Sequence, residues 1–108
     1  MDAELLESLE SCLDAARDVD DSLPKPQACE LESNPAIAVR LQWIERQLST
    51  LTSKLKAMQE DMDAGLSVNE MGFADPQEMQ ELLNDMGIQI AHLKSMCLAL
   101  GRSLGRGI

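Results

Sequence analysis

The 108-residue chain has few aromatic residues, since it contains one Trp, one Phe and no Tyr. β-Sandwiches and barrels draw heavily on aromatic and β-branched side chains, so this composition argues against both. The apolar volume comes mainly from Leu and from seven Met, which suit packing between helices. The composition therefore predicts an all-α fold with one small core.

Long apolar runs are also missing. The longest one, residues 96–100, is far shorter than the roughly 20 residues that a membrane-spanning helix needs. The chain begins Met1-Asp2-Ala3-Glu4, whereas a leader peptide begins with a basic segment. We therefore expect a cytoplasmic protein with no membrane partner.

Cysteines are few and unpaired. Cys12, Cys29 and Cys97 form an odd set without a close pair. This pattern fits a reducing compartment, and it fits neither a disulfide framework nor a zinc site. Cys12 and Cys97 fall on apolar helix faces and are expected in the core, whereas Cys29 is expected to be exposed.

Basic residues are scarce, and the formal net charge is −10. Residues 1–35 contain ten acidic and two basic residues, which gives a local charge of −8. Such a segment repels a phosphate backbone, so we expect no direct binding of nucleic acid. The acidic residues either solvate a surface helix or meet a basic partner, and the sequence leaves both interpretations open.

Motifs for catalysis, cofactors and metals are absent from the sequence. Residues 18–21 resemble the start of a calcium loop, but Leu23 and Cys29 occupy the positions that require glycine and glutamate. His92, the single histidine, has no nucleophile or acid at a spacing that would orient it. We therefore expect no enzyme activity, no cofactor and no metal.

Two long apolar stripes dominate the sequence. Their members are separated alternately by four and three residues, which places each stripe on one face of a coiled-coil helix. The first stripe consists of Ile37, Leu41, Ile44, Leu48, Leu51, Leu55, Met58 and Met62, and the second of Met79, Leu83, Met86, Ile90, Leu93, Cys97, Leu100 and Leu104. We expect an antiparallel helical hairpin over residues 35–100.

A shorter amphipathic helix is predicted over residues 1–21, with Asp2 as its cap. Its apolar face consists of Leu5, Leu6, Leu9, Cys12, Leu13 and Ala16. Residues 22–34 contain Pro24 and Pro26 and are predicted to form a linker. The linker can span about 40 Å when extended, so the helix could fold back or reach a neighbouring chain.

Capping signals set the start and end of the first hairpin helix. Ser33 or Asn34 supplies a cap, and Pro35 fits the first helical position because its missing N–H has no intrahelical partner there. Gly65 can adopt the left-handed conformation that ends the helix. The connection that follows has four apolar residues that we expect to cover the end of the hairpin, namely Leu66, Val68, Met71 and Phe73.

The second hairpin helix begins with the strongest signal in the chain. Asp75 and Glu78 predict a reciprocal capping box. Gly87 interrupts the helix and marks either a close helix crossing or bend, or a glycine that the helix tolerates. Gly101 predicts the end of the helix near Leu100, followed by a flexible tail over residues 101–108.

The hairpin alone would be marginally stable, because each helix buries only one stripe. The first helix can complete a three-helix bundle, two hairpins can pair in a dimeric four-helix bundle, or a partner's helix can enter the groove. The predicted fold is therefore an all-α, coiled-coil-like hairpin with an N-terminal amphipathic helix, in one of these arrangements.

A non-enzymatic module for protein–protein interaction follows from these patterns. We expect a chaperone-like, adaptor or regulatory subunit that binds an amphipathic helix of a partner or a second copy of itself. The candidate partner-binding residues are Leu5, Leu6, Leu9, Leu13, Trp43, Leu48, Leu51, Leu55, Met58, Met86, Ile90 and Leu93. Trp43 lies off the stripe, so it packs either under the first helix or on an interface.

The alternative function uses the acidic segment. Residues 1–35 could mask the basic surface of a nucleic-acid-binding or catalytic target, as an acidic inhibitor or anti-activator. Binding of this kind would be sensitive to salt, whereas binding through apolar stripes would persist at high salt.

Overall fold

Three long helices and one short helix account for most of the chain. The computed structural model describes residues 3–106, except for the side chains of residues 28, 30, 31 and 104–106. The helices are α1 (Ala3–Ser22), α2 (Ala28–Ser33), α3 (Pro35–Asp63) and α4 (Pro76–Arg106), and the described residues include no strand. The all-α prediction is confirmed.

The three long helices form a bundle 51 Å long and 19 by 17 Å across. Contacts between α1 and α4 advance in the same direction along both helices: Ser8 bonds to Gln80, Cys12 to Leu83, and Asp18 to Lys94. α1 is therefore parallel to α4, and α3 runs antiparallel to both. Of the predicted arrangements, the structure is the three-helix bundle, with α1 folded back onto the hairpin.

The two stripes and the apolar face of α1 meet in one core. Every member of the first stripe is buried, and so is every member of the second from Met79 to Leu100. The side chain of Leu104 lies outside the described residues. α1 contributes Leu5, Leu9, Cys12, Ala16 and Val19. Its buried face therefore extends to Val19, three residues beyond the predicted set, while Leu6 and Leu13 are only partly buried. The heptad spacing thus identified the buried faces of α3 and α4 correctly.

The segment between α1 and α3 is partly helical. α1 ends at Ser22, and the six residues of α2 lie inside the linker predicted over residues 22–34, a short helix that the sequence analysis did not predict. α2 contacts α3, the next helix along the chain. Asp2, the predicted cap of α1, lies outside the described residues.

α3 begins at Pro35 as predicted, but without a side-chain cap. Asn34 occupies the N-cap position and makes no side-chain hydrogen bond to the helix. The Ser33 hydroxyl donates to the carbonyl oxygen of Cys29, 2.8 Å away, and so closes α2 instead. The prediction of a side-chain cap at this boundary is therefore wrong, although the boundary itself is right.

The connection between α3 and α4 contains two glycines with positive φ, Gly65 at 82° and Gly72 at 101°. After Gly65, the Leu66 N–H donates to the carbonyl oxygen of Asp61 at 3.0 Å, which satisfies an end carbonyl of α3. Val68, Met71 and Phe73 pack against the core as predicted. Leu66 is 37% exposed, so its prediction as a covering residue is wrong.

α4 has the predicted cap and a later end than predicted. Asp75 accepts the Glu78 N–H at 2.8 Å, while the Glu78 carboxylate accepts the N–H of Ala74 rather than that of Asp75. The helix continues through Gly101 to Arg106, so the predicted end near Leu100 is wrong. A lone glycine costs a helix about 1 kcal/mol, which is too little to end it. Residues 107–108 lie outside the described residues.

Candidate functional site

Most of the candidate partner-binding residues lie inside the bundle. The nine that are buried are Leu5, Leu9, Leu48, Leu51, Leu55, Met58, Met86, Ile90 and Leu93. Leu6 and Leu13 are half-buried and pack against the core. Trp43 differs from the other eleven because 45% of its surface is exposed. Trp43 is therefore the most exposed of the twelve candidates.

Trp43 lies in a groove between α3 and α4. The groove has a volume of about 290 Å³ and is lined by Trp43, Gln47, Leu51, Ile88, Gln89, His92 and Leu93. None of these residues belongs to α1, so of the two interpretations of Trp43 from the sequence, packing under the first helix does not fit the structure. α1 packs instead against the opposite flank of α3, where it faces Glu45, Leu48 and Thr52.

The groove exists because α3 and α4 approach each other at few positions. Although they are the longest helices, their backbones come close less often than α1 does to either of them. α1 therefore joins the two helices on one side of the bundle and leaves the other side open. On the open side, Leu51 and Leu93 form an apolar floor that is almost completely buried.

Exposed apolar side chains lie at the groove and next to it. Ile88 is 68% exposed, and Val39, one helical turn before Trp43, is 66% exposed. The other large apolar side chains exposed in the described part of the chain are Leu66, Leu82 and Leu98. A Trp flanked by two exposed β-branched residues is the kind of patch that marks interaction sites.

The sequence prediction missed Ile88 and Val39 as possible site residues. Both are apolar residues off the stripes, and Val39 precedes Trp43 by four residues, so a signal for a second apolar face was present. It is short and interrupted by polar residues, which makes it weak beside the two stripes.

Two basic residues lie close to Trp43 on α3. Arg40 and Arg46 lie three residues before and after Trp43, and both are exposed. The ion pairs found among the described residues are Arg17 with Asp14, at 3.9 Å, and Lys94 with Asp18. The two arginines beside Trp43 therefore lack a carboxylate partner within the described chain.

The outer face of α1 is acidic and borders a second groove. Glu7, Glu10, Asp14 and Asp21 are exposed there. The groove lies between α1 and α4, has a volume of about 830 Å³, and is lined mainly by small and polar residues including Ser8, Ser11, Gln80, Asn84, Gly87 and Ala91. It differs from the Trp43 groove because its lining includes no aromatic side chain.

The three thiols lie where the sequence predicted them. Cys12 and Cys97 are buried, Cys29 is exposed, and all three are free. Desolvation by burial raises the pKa of the Cys12 and Cys97 thiols above the ordinary value of 9.0. A raised pKa keeps a thiol protonated, so neither buried cysteine resembles an activated nucleophile.

Neither a metal-binding cluster nor a membrane-spanning helix is found among the described residues. No three His, Cys, Asp or Glu side chains lie close enough together to hold a metal ion. Among the helices of the described chain, none combines the length and the apolar character required to cross a membrane.

Comparison with known proteins does not assign a family. A scan against protein-family models, a search of curated proteins and a search of solved structures each gave no match. The function is therefore inferred from the surface of this three-helix bundle.

Proposed function

We propose that the protein is a non-enzymatic helical interaction module, an adaptor, chaperone-like or regulatory subunit, that binds an amphipathic helix of a partner protein in the α3–α4 groove. The observation that carries this proposal is the half-exposed Trp43 above an apolar floor. The three free cysteines support a cytoplasmic location.

The shape of the groove suits a helix. Two antiparallel helices with a shallow channel between them present the same surface that helices use to pack against one another. A partner residue inserted between Trp43 and Ile88 would reach Leu51, and residues three, four and seven positions away would follow the channel. Trp is enriched among the residues that dominate binding energy, so Trp43 would contribute most of the affinity.

The polar groups of the groove are suited to orienting a bound helix rather than to catalysis. Gln47 and Gln89 line it from opposite helices, and each amide offers both donors and acceptors. His92 is the one titratable side chain among the lining residues. A general base needs a nucleophile or acid within reach, and the lining supplies none.

The proposal can be tested by NMR titration of the ¹⁵N-labelled full chain. The probe is a synthetic amphipathic helical peptide with a Leu ridge and uncharged flanks. We expect saturable shifts in the Trp43 indole N–H and in the side-chain amides of Gln47 and Gln89. Trp43→Ala should weaken binding roughly tenfold or more, as expected for a central Trp.

Leu98→Ala is the matched control, because Leu98 is 50% exposed but does not line the groove. This variant should bind the peptide as the unmodified chain does. The proposed function would be disproved if the chemical-shift changes were confined to other surfaces. It would also be disproved if Trp43→Ala bound the peptide with unchanged affinity.

A second candidate function rests on the acidic face of α1. The acidic residues of α1 are Glu4, Glu7, Glu10, Asp14, Asp18, Asp20 and Asp21, whereas Arg17 is its one basic residue. This face supports binding to a basic surface, as an acidic inhibitor or anti-activator would require.

An oligolysine peptide distinguishes this candidate from the first. It should bind at low salt, lose most of its affinity by about 0.5 M salt, and bind less well to a Glu7→Gln, Glu10→Gln, Asp14→Asn variant. Failure to bind at low salt would exclude the acidic face as a binding surface. Binding of the uncharged peptide in the Trp43 groove should be nearly independent of salt.

A further inference from the structure

We propose that a second copy of the chain binds to the open side of the bundle, so that two three-helix bundles pair through α3 and α4. This inference rests on the proposed function, since it assigns an occupant to the Trp43 groove. Its basis is the charge of the open side, which is basic on α3 and acidic on α4. A surface of this kind is complementary to itself.

Two rows of side chains border the open side, one on each helix. Each row follows the alternate spacing of three and four residues that keeps side chains on one helix face. The α3 row consists of Arg40, Trp43, Gln47, Thr50 and Lys54, and the α4 row consists of Leu82, Asp85, Gln89, His92 and Met96. Both rows contribute residues to the lining of the groove, so the two rows adjoin.

Lys54 and Asp85 lie at similar heights along the bundle. Residues 43–51 of α3 line the groove together with residues 88–93 of α4. Because the two helices are antiparallel, Lys54 lies within about one helical turn of the height of Asp85. Both side chains are exposed, and the ion pairs found in the described part of the chain involve other residues. Both charges are therefore available to a second copy.

Two-fold symmetry brings these charges together. An axis parallel to the helices places α3 of each copy over α4 of the other at the same height. Lys54 of each copy then faces Asp85 of the other, and the amides of Gln47 and Gln89 meet as donors and acceptors. An axis across the helices at the level of Gln47 would instead place Lys54 over Arg40, and like charges repel. The charges therefore select the parallel axis.

The net charge of −10 opposes self-association, but its distribution favours pairing through the open side. α1 carries seven acidic residues and one basic residue, and it lies on the other side of the bundle. Pairing through α3 and α4 keeps the two acidic helices apart, and salt at about 0.15 M screens charges separated by more than about 8 Å. A single bound helix would need an acidic flank toward α3 and a basic flank toward α4, which a second copy already has.

Analytical ultracentrifugation of the full chain tests the proposal at about 0.15 M salt, over roughly 10 µM to 1 mM protein. We expect an equilibrium between monomer and dimer. Trp43→Ala should weaken the dimer roughly tenfold or more. Lys54→Glu and Asp85→Lys should each weaken it roughly tenfold, because each creates two like-charge contacts. Lys56→Glu is the matched control, since Lys56 lines the groove toward α1, and it should dimerise as the unmodified chain does.

A mixture of the Lys54→Glu chain and the Asp85→Lys chain should form a mixed dimer about as strong as the unmodified one. In that dimer the two reversed positions face each other, and the second contact is the original one between Lys54 and Asp85. Ion pairs within one chain cannot produce this selectivity. If a reversed chain does not fold by circular dichroism, Lys54→Gln and Asp85→Asn replace the reversals, and each should weaken the dimer roughly threefold.

The outcomes separate this proposal from the proposed function. A chain that stays monomeric over the whole range, a dimer that neither charge reversal weakens, or reversed chains that form no mixed dimer would each overturn the second copy as occupant. The helical-peptide titration, run where the chain is monomeric, tests the groove independently. Peptide shifts at Trp43 in a chain that does not dimerise would leave the proposed function in place.

Discussion

Gly87 on α4 faces Cys12 on α1, and a Cβ atom added to Gly87 would lie 3.8 Å from the Cys12 sulfur. That distance is an ordinary van der Waals contact, so the approach of the two helices does not require glycine. Of the two interpretations of Gly87 from the sequence, a tolerated glycine therefore fits the structure better than a close helix crossing.

Gly87→Ala should stabilise the bundle by about 0.5–1 kcal/mol, because alanine loses less backbone entropy in a helix. Urea unfolding followed by circular dichroism measures the change. Gly65→Ala is the control: space is open around Gly65, but its φ of 82° strains an L-residue, so this variant should lose about 1 kcal/mol. A destabilised Gly87→Ala chain would mean that α1 and α4 lie closer than described.

Leu9→Ala should reduce the free energy of unfolding by about 2–5 kcal/mol, because Leu9 on α1 has no exposed surface and its truncation leaves a cavity in the core. Leu98→Ala, at a half-exposed position, should change the free energy of unfolding by less than about 0.5 kcal/mol. Denaturant unfolding of both variants gives the comparison. A loss below about 1 kcal/mol for Leu9→Ala would show that α1 is only loosely attached to the hairpin.

Asp75→Ala should destabilise the protein by about 0.5–2 kcal/mol, because Asp75 accepts the Glu78 N–H at the start of α4. Asn34→Ala at the start of α3 should cost much less, since Asn34 makes no side-chain cap bond. Thermal unfolding of the two variants measures both effects. Equal losses would show that Asn34 caps α3 in solution.

The buried faces of the long helices could be predicted because one periodicity governs the whole length of each stripe. Pro35, Gly65 and Asp75 also marked helix boundaries correctly, since each acts through its own backbone or its nearest neighbours. Whether Asn34 caps a helix depends instead on one backbone conformation, φ −141° and ψ 81°, that the sequence does not determine.

The position of Trp43 could not be predicted from its own helix. Its place on α3 shows only that it lies beside the stripe. α1 could have covered either flank of α3. α1 packs on the flank of Glu45 and Thr52, so Trp43 remains exposed. Which flank α1 covers depends on how the three helices pack together. The spacing of residues within a single helix does not determine that packing.

The thiols should differ in their rate of modification. Cys29 is exposed, whereas Cys12 and Cys97 are buried and have raised pKa values, so one thiol per chain should react rapidly with a disulfide reagent at pH 8. The other two should react only as fast as the bundle opens. Cys29→Ser should remove the fast phase alone. Three thiols that react rapidly would indicate that the core is open in solution.

Stability should fall at alkaline pH through the two buried thiols. Their pKa in the folded state is raised above 9.0, so as pH passes that value the unfolded chain loses protons first. The unfolded state then binds fewer protons than the folded state, and the free energy of unfolding decreases between pH 9.0 and the raised pKa, by at most about 1.4 kcal/mol per pH unit for each thiol. Urea midpoints at pH 7–10.5 measure this slope, and Cys12→Ala with Cys97→Ala should reduce it. An equal slope in that variant would assign the alkaline loss to other groups.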